Sequence, residues 1–289
     1  MRSEEEMMGS ILRFAEEEEG IRAVILNGSR ANPLVTADRF QDYDVVFFVT
    51  DMQRFIQDRS WIAQRFGEIL IMQTPDEWTT SADEPRDRFA FLMLFMDGNR
   101  IDLTFSPAEK LPGMRHDSLS VLLLDKDGLA GELPPPSIED YRTTPPSAER
   151  FAECCNEFWW VSTYIAKGLW RGELYYASFH LERPVRDMLI LMLNWYIGVQ
   201  SSFEANPGKL GKYYDRLLPP DMWERFKATF PGSSPELMWR SLFVMGELFR
   251  EAAAAVARYF GFVYNEEEDR KVTAYLRQVQ ASADSPPAS

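Results

Sequence analysis

Polar and apolar positions follow two different periods along this chain, and the change from one to the other divides it. Over residues 3–19, Met7, Met8, Ile11, Leu12 and Ala15 recur at helical spacing and predict an amphipathic helix. An apolar run at 23–26 ends in Asn27-Gly28-Ser29, which reads as a strand followed by a turn. Residues 43–50, YDVVFFVT, are almost unbroken in apolar character. Such a run predicts a strand buried on both faces and central in its sheet. Residues 51–65 read as one helix and residues 68–73 as another strand. In FAFLMLFMDGNRIDLTF, residues 89–105, two apolar runs flank Asp97-Gly98-Asn99, a strong hairpin signal. A last apolar run at 121–124 adds a further segment.

The stretch ELPPPSIEDYRTTPPS, residues 132–147, carries five prolines and predicts a boundary. Beyond it the period turns helical. FAECCNEFWWVSTYIAKGL (151–169), ELYYASFHLERPVRDMLILMLNWYIG (173–198) and ELMWRSLFVMGELFREAAAAVARYFG (236–261) read as helices. Pro184 should end or kink the middle one. The closing ASADSPPAS has the composition of a disordered tail. The fold class expected is α+β: a mixed sheet with flanking helices, followed by an all-α bundle.

Composition narrows the function. The chain has 289 residues, 45% hydrophobic and 26% charged, which suits two domains. Its net charge of −14 repels phosphate backbones and argues against broad nucleic-acid binding, while drawing in small cations. The acidic N-terminus is unlike a signal peptide, and no apolar run is long enough to span a membrane. Cys154 and Cys155 are neighbours and ill placed to pair with each other, so two reduced thiols in a cytoplasmic protein are expected. With only His116 and His180 present, histidine-based chemistry has little material. Carboxylates are the more plausible working groups.

The candidate chemistry lies in residues 27–49, NGSRANPLVTADRFQDYDVVFFV, where Asp42 and Asp44 open the apolar strand. Residues i and i+2 of a strand share a face ~6.6 Å apart. Two carboxylates so placed repel by roughly 2 kcal/mol at an effective dielectric near 20, so a positive group should sit between them. Magnesium, held by one or two carboxylates and a nucleotide's phosphates, fits that position. Asp102, between Ile101 and Leu103 on the returning hairpin strand, is available as a third acid. Upstream, Gly28 lets the backbone approach a phosphate, the Ser29 hydroxyl can donate to it, and Arg30 adds a charge. Each feature alone has an ordinary explanation as a turn, a solvated strand mouth or an edge charge. Together, in this order, they point to attack on a nucleoside triphosphate.

The chain also resembles a known family. Gly28-Ser29, then Asp42-x-Asp44 opening an apolar strand, then a third aspartate on a later strand, resembles the polymerase-beta-type nucleotidyltransferases. DRFQDYDVVFFVTDM, LMLFMDGNRIDLT, SVLLLDKDGL and CCNEFWWVSTYIAKGL are similar to the aminoglycoside 6-adenylyltransferases, also called streptomycin adenylyltransferases. The likeness runs from residue 2 to about residue 265.

It implies transfer of AMP from Mg-ATP to a streptomycin hydroxyl, the 6-hydroxyl, with release of pyrophosphate and loss of the drug's action. It implies a nucleotidyltransferase domain over 1–145 holding Mg-ATP, a helical domain over 146–265 contributing to the drug site, and an extension over 266–289. Asp42, Asp44 and Asp102 would be the metal and catalytic acids, with Asp102 either a ligand or the general base. Gly28, Ser29 and Arg30 would face the triphosphate. Lys212, with Lys209 its neighbour in NPGKLGKYYDRLL, would reach it from the helical domain, unless it simply starts a helix. Glu157, Trp160 and Asp187 are the candidates for the cationic drug, with Trp159 and Glu182 behind them, since guanidinium groups favour carboxylates and aromatic faces. Core packing is the competing role for at least one tryptophan. A monomer is expected. The rival readings are a nucleotidyltransferase of the same fold with another acceptor, and a non-catalytic binder.

Overall fold

The computed structural model describes residues 1–79 and 86–283. The chain divides into two compact units, Met1–Asp140 and Tyr141–Ser289.

The first unit is built on a six-stranded sheet. Helix α1, Glu4–Glu17, begins with a capping box in which Ser3 and Glu6 satisfy each other's backbone N–H groups. Its buried face, Met7, Ile11, Phe14 and Ala15, follows the predicted period. Strands β1 (Ile21–Asn27) and β2 (Tyr43–Val49) follow. The helix expected over 51–65 is instead two, α2 (Met52–Gln57) and α3 (Ser60–Phe66). Asp58 makes the break, since its carboxylate accepts from the Ser60 N–H at 2.9 Å. Then come β3 (Ile69–Gln73), α4 (Asp76–Thr79), β4 (Phe89–Phe95), β5 (Arg100–Pro107) and β6 (Ser120–Asp125).

The strand order is β3-β4-β5-β2-β1-β6, so β2 is central as its unbroken apolar run predicts. β2 and β5 are parallel and the other neighbouring pairs antiparallel, which makes the sheet mixed. One face of β2 buries Tyr43, Val45 and Phe47 in a large core with α1, α2 and α3. On the other face Phe48 packs with Ala23, Ile25, Ala108 and Leu111. Ile101 and Leu103 of β5 are in the large core, so Asp102 between them points to the opposite side.

The second unit is helical. It comprises α5 (Ala148–Trp170), α6 (Leu174–His180), α7 (Arg186–Gln200), α8 (Tyr214–Leu217), α9 (Pro220–Ala228), α10 (Pro235–Phe260) and α11 (Glu266–Ala283). Pro184 is absorbed in a π-helical turn, Leu181–Val185, joining α6 to α7. Gly261, at φ 72°, ends α10 in the left-handed conformation that glycine adopts without penalty. Both cysteines are free thiols buried in this unit's core, and burial pushes the Cys154 thiol up to about 12.

The segment expected as an extension is mostly α11, which packs on α5. Its Asp269 is buried and takes a fork of hydrogen bonds from Arg250, at 2.5 and 2.6 Å. The rest of the expected tail, residues 284–289, lies outside the described residues. Among the described residues no helix is long and apolar enough to cross a membrane.

Candidate active site

Strand direction brings three chain segments to one end of the sheet. β1 runs antiparallel to β2, so the end of β1 meets the start of β2 and Asn27 stands opposite Asp44. β5 runs parallel to β2, so their starts coincide and Asp44 stands opposite Asp102. Asp42 lies just before β2, which begins at Tyr43.

Gly28 follows β1 directly with φ 73°, and a Cβ there would stand 2.4 Å from an Asp44 carboxylate oxygen. Only glycine meets both the backbone angle and the close approach. Ser29 is next in the same short turn, half-buried.

Arg30 is used differently from the phosphate contact expected. Its guanidinium donates to the Gln41 and Asp42 carbonyls at 2.8 and 3.1 Å and lies over the Tyr43 ring at 3.8 Å. It also pairs with Glu4 at 3.2 Å, and its side chain is 6% exposed. Those bonds tie the 31–42 loop down beside β2 and so place Asp42. The sequence signal for this, Arg-x₁₁-Asp-Tyr, has no local logic from which to read it.

The cation between the acids is Arg100. As the first residue of β5 it shares a face with Asp102, and its Nε and Nη2 donate to the two Asp102 oxygens at 2.8 and 2.7 Å. Nη1 stands 3.5 Å from Asp42, and the Asp44 charge also acts on this guanidinium. Burial raises the Asp42 carboxyl above its ordinary value; the Arg100 charge opposes the rise, and the Asp102 charge adds to it. The sequence reading puts magnesium between Asp42 and Asp44; among the described residues the cation beside these acids is Arg100, forked onto Asp102 and near Asp42. The i, i+2 spacing of Arg100 and Asp102 was the available signal.

Oxygen donors of this kind suit a hard divalent cation such as magnesium. Among the described residues no three acidic, histidine or cysteine side chains already converge as a ready metal cage.

The hairpin turn supports this end of the sheet. Asp97 accepts from the backbone and Nε of Arg2, at 3.1 and 2.7 Å, and from the backbone and side chain of Asn99, at 3.0 and 2.9 Å. Burial alone would raise its carboxyl, but these donors hold it well below the usual range.

In the helical unit, Glu157 and Trp160 are exposed one turn apart on α5, and the Trp160 indole N–H donates to the Tyr164 hydroxyl at 2.7 Å. Trp160, Asn156 and Thr163 line a cleft of about 450 Å³ with Glu267 and Glu268 of α11. Trp159 is core, its indole N–H donating to the Tyr264 hydroxyl at 3.2 Å. Asp187 is exposed in the first turn of α7. Glu182 is committed to Arg186, at 2.8 Å to each oxygen. Lys212 is exposed beside the Tyr213 ring, and Lys209 opens on a hollow of about 640 Å³ with Arg142, Thr143, Arg150 and Asn194. Thus Gly28, Ser29, Asp42, Asp44 and Asp102 come together, whereas in the helical unit Glu157 and Trp160 share α5, Asp187 is on α7 and Lys212 lies between α7 and α8.

Residues 1–279 match the family described as streptomycin adenylyltransferase. The chain is 38% identical over 284 residues to an aminoglycoside 6-adenylyltransferase of Bacillus subtilis, covering 98% of this chain and 99% of the relative. It is 39% identical over 277 residues to one from Campylobacter jejuni, covering 96% and 95%. A crystal structure of an aminoglycoside 6-adenyltransferase from Bacillus subtilis aligns over 97% of this chain and 99% of that one, at 34% identity and a TM-score of 0.47. With a match extending through both the strand-end acids and the helical unit, the chain belongs to the streptomycin adenylyltransferase family, a family of nucleotidyltransferases.

Proposed function

We propose that this protein transfers AMP from Mg-ATP to a hydroxyl of an aminoglycoside, the 6-hydroxyl of streptomycin, and releases pyrophosphate. The observation that carries the reading is the meeting of Asp42, Asp44 and Asp102 beside Gly28 at one end of the sheet, in a chain of this family. In the reaction the acceptor oxygen forms a bond to the α-phosphorus and the bond from that phosphorus to the bridging oxygen breaks. Pyrophosphate leaves with that electron pair, and the hydroxyl proton goes to a carboxylate. Magnesium, when bound, supplies charge neutralisation on the triphosphate.

Asp42, Asp44 and Asp102 are assigned as its ligands, with Asp102 also the acceptor of the proton. Gly28 and Ser29 are assigned to the triphosphate, as is Lys212. Arg30 acts by positioning Asp42. Residues 1–145 hold the nucleotide, and residues 146–265 offer the cationic drug Glu157, Trp160 and Asp187, with residues 266–289 as an extension to that unit. The protein works as a cytoplasmic monomer. The acidic balance of the chain, −14, favours a polycationic acceptor.

The test is pyrophosphate release from Mg-ATP by purified protein with streptomycin, kanamycin, spectinomycin and lincomycin. Release with streptomycin and not with the others is expected. Release only with another acceptor overturns the streptomycin assignment. Silence across the panel from folded protein overturns the whole assignment of acceptor class.

A further inference from the structure

We propose that Arg100 is an internal counter-ion that holds the strand-end carboxylates in place and is exchanged for the divalent cation when that cation binds. The proposal rests on the assignment of Asp42, Asp44 and Asp102 as a metal site. One guanidinium faces three carboxylates: it forks onto Asp102, reaches Asp42 at 3.5 Å and feels the charge of Asp44. The Arg30 charge also acts on Asp42. For the carboxylate oxygens that Arg100 holds, a divalent ion carries twice the charge and prefers oxygen donors. Arg100 is free to leave. Its side chain is 43% exposed, and among the described residues its guanidinium bonds to these acids. A half-exposed ion pair is held by little net free energy, so the exchange is accessible.

The backbone beneath it is fixed, because the turn before Arg100 is anchored by Asp97 to Arg2 and Asn99. A long side chain can therefore swing into solvent while Asp102 keeps its place. Arg30 makes the contrast. It is 6% exposed and bound to two carbonyls, Glu4 and the Tyr43 ring, so it cannot exchange and serves as a fixed brace.

The test is titration of the full chain with manganese(II), without nucleotide, following free Mn²⁺ by electron paramagnetic resonance. Wild type, Arg100→Gln, Arg100→Lys and the double variant Arg100→Gln/Asp44→Asn are compared. Arg100→Gln is expected to bind Mn²⁺ roughly five- to tenfold tighter than wild type, the competing charge having been removed. Arg100→Lys, which keeps the charge and loses the fork, should fall between them. Asp44→Asn in the Gln background should abolish the gain.

Without metal, Arg100→Gln should melt below wild type and recover most of the difference when Mn²⁺ is added. An arginine with only a structural role would lower melting and leave Mn²⁺ affinity unmoved. Equal or weaker binding by a folded Arg100→Gln, with binding still lost on Asp44→Asn, overturns the exchange and leaves the metal assignment standing. Absence of Mn²⁺ binding from wild type and Arg100→Gln alike overturns both.

Discussion

Each unit of this molecule carries an arginine forked onto an aspartate, and the aspartates of two such pairs, Asp102 and Asp269, differ sharply in their access to water. Arg100 meets Asp102 at 2.7 and 2.8 Å at the rim of the sheet, where the aspartate is 20% exposed and Asp42 lies near by. Arg250 meets Asp269 at 2.5 and 2.6 Å inside the helical unit, where the aspartate is 4% exposed. There the remaining acceptor capacity is filled by the Tyr264 hydroxyl at 2.8 Å and the Thr273 hydroxyl at 3.0 Å. Asp102 has a second acid, Asp42, and water near by; Asp269 is closed off from water and takes bonds from Arg250, Tyr264 and Thr273, while both arginines reach the surface, at 43% and 39% exposed. The same pair of side chains is an exchangeable cap in one place and a fastener for α11 in the other.

The largest effect is expected at the acids themselves. Asp44→Asn should lower AMP transfer by at least about a thousandfold while leaving the fold intact, because it removes a charge the proposed reaction uses and no core packing. Pyrophosphate release and a melting curve on the same sample check it, and near-normal turnover would remove Asp44 from the site.

The next contrast is in stability. Asp269→Ala strands Arg250 and two hydroxyls and should cost roughly 2–4 kcal/mol, read from urea unfolding. Asp102→Ala takes one acid out of a crowded, half-exposed group and should cost under about 1 kcal/mol. Equal losses would show that the two forks do not differ as described.

The smallest effect concerns the turn beneath Arg100. Asp97→Ala should cost about 1–2 kcal/mol near neutral pH, through the lost bonds to Arg2 and Asn99. The Asp97 carboxyl is held below its ordinary value in the folded protein. Its contribution is therefore complete above the unfolded carboxyl's pKa and is lost as pH falls through the lower, folded one. The gap between wild type and Asp97→Ala should be flat from neutral pH down and close only below about pH 4. A gap that widens on acidification would contradict this account of Asp97.

Much of the fold can be read locally. The unbroken run Val45-Val46-Phe47-Phe48-Val49 announces a central strand because a side chain of either parity must be apolar there. Asp97-Gly98-Asn99 announces the hairpin because its turn needs a residue at positive φ, and Gly98 has φ 84°. The break of residues 51–65 into α2 and α3 was missed, since it depends on Asp58 choosing its own backbone neighbour over solvent. The tryptophan pair shows the limit plainly. Trp159 and Trp160 are chemically identical, and only their angular position on α5 sends one to the core and leaves the other 59% exposed.

For the candidate site the division is similar. Sequence alone determined which residues are acids, that Gly28 and Asp44 sit at strand ends, that Ile101 and Leu103 bracket Asp102 toward the core, and that a positive group is required among the carboxylates. These follow from period, from conformational preference and from Coulomb's law along one segment. Only the tertiary structure decided that β2 and β5 run parallel, so that Asp44 and Asp102 stand opposite each other. Only it decided that Arg100 is the cation present, that Arg30 braces a loop, and that Asp269 is buried. Those outcomes hang on which distant segments meet, and a charged side chain takes its meaning from its partners and its access to water, neither of which is written beside it in the chain.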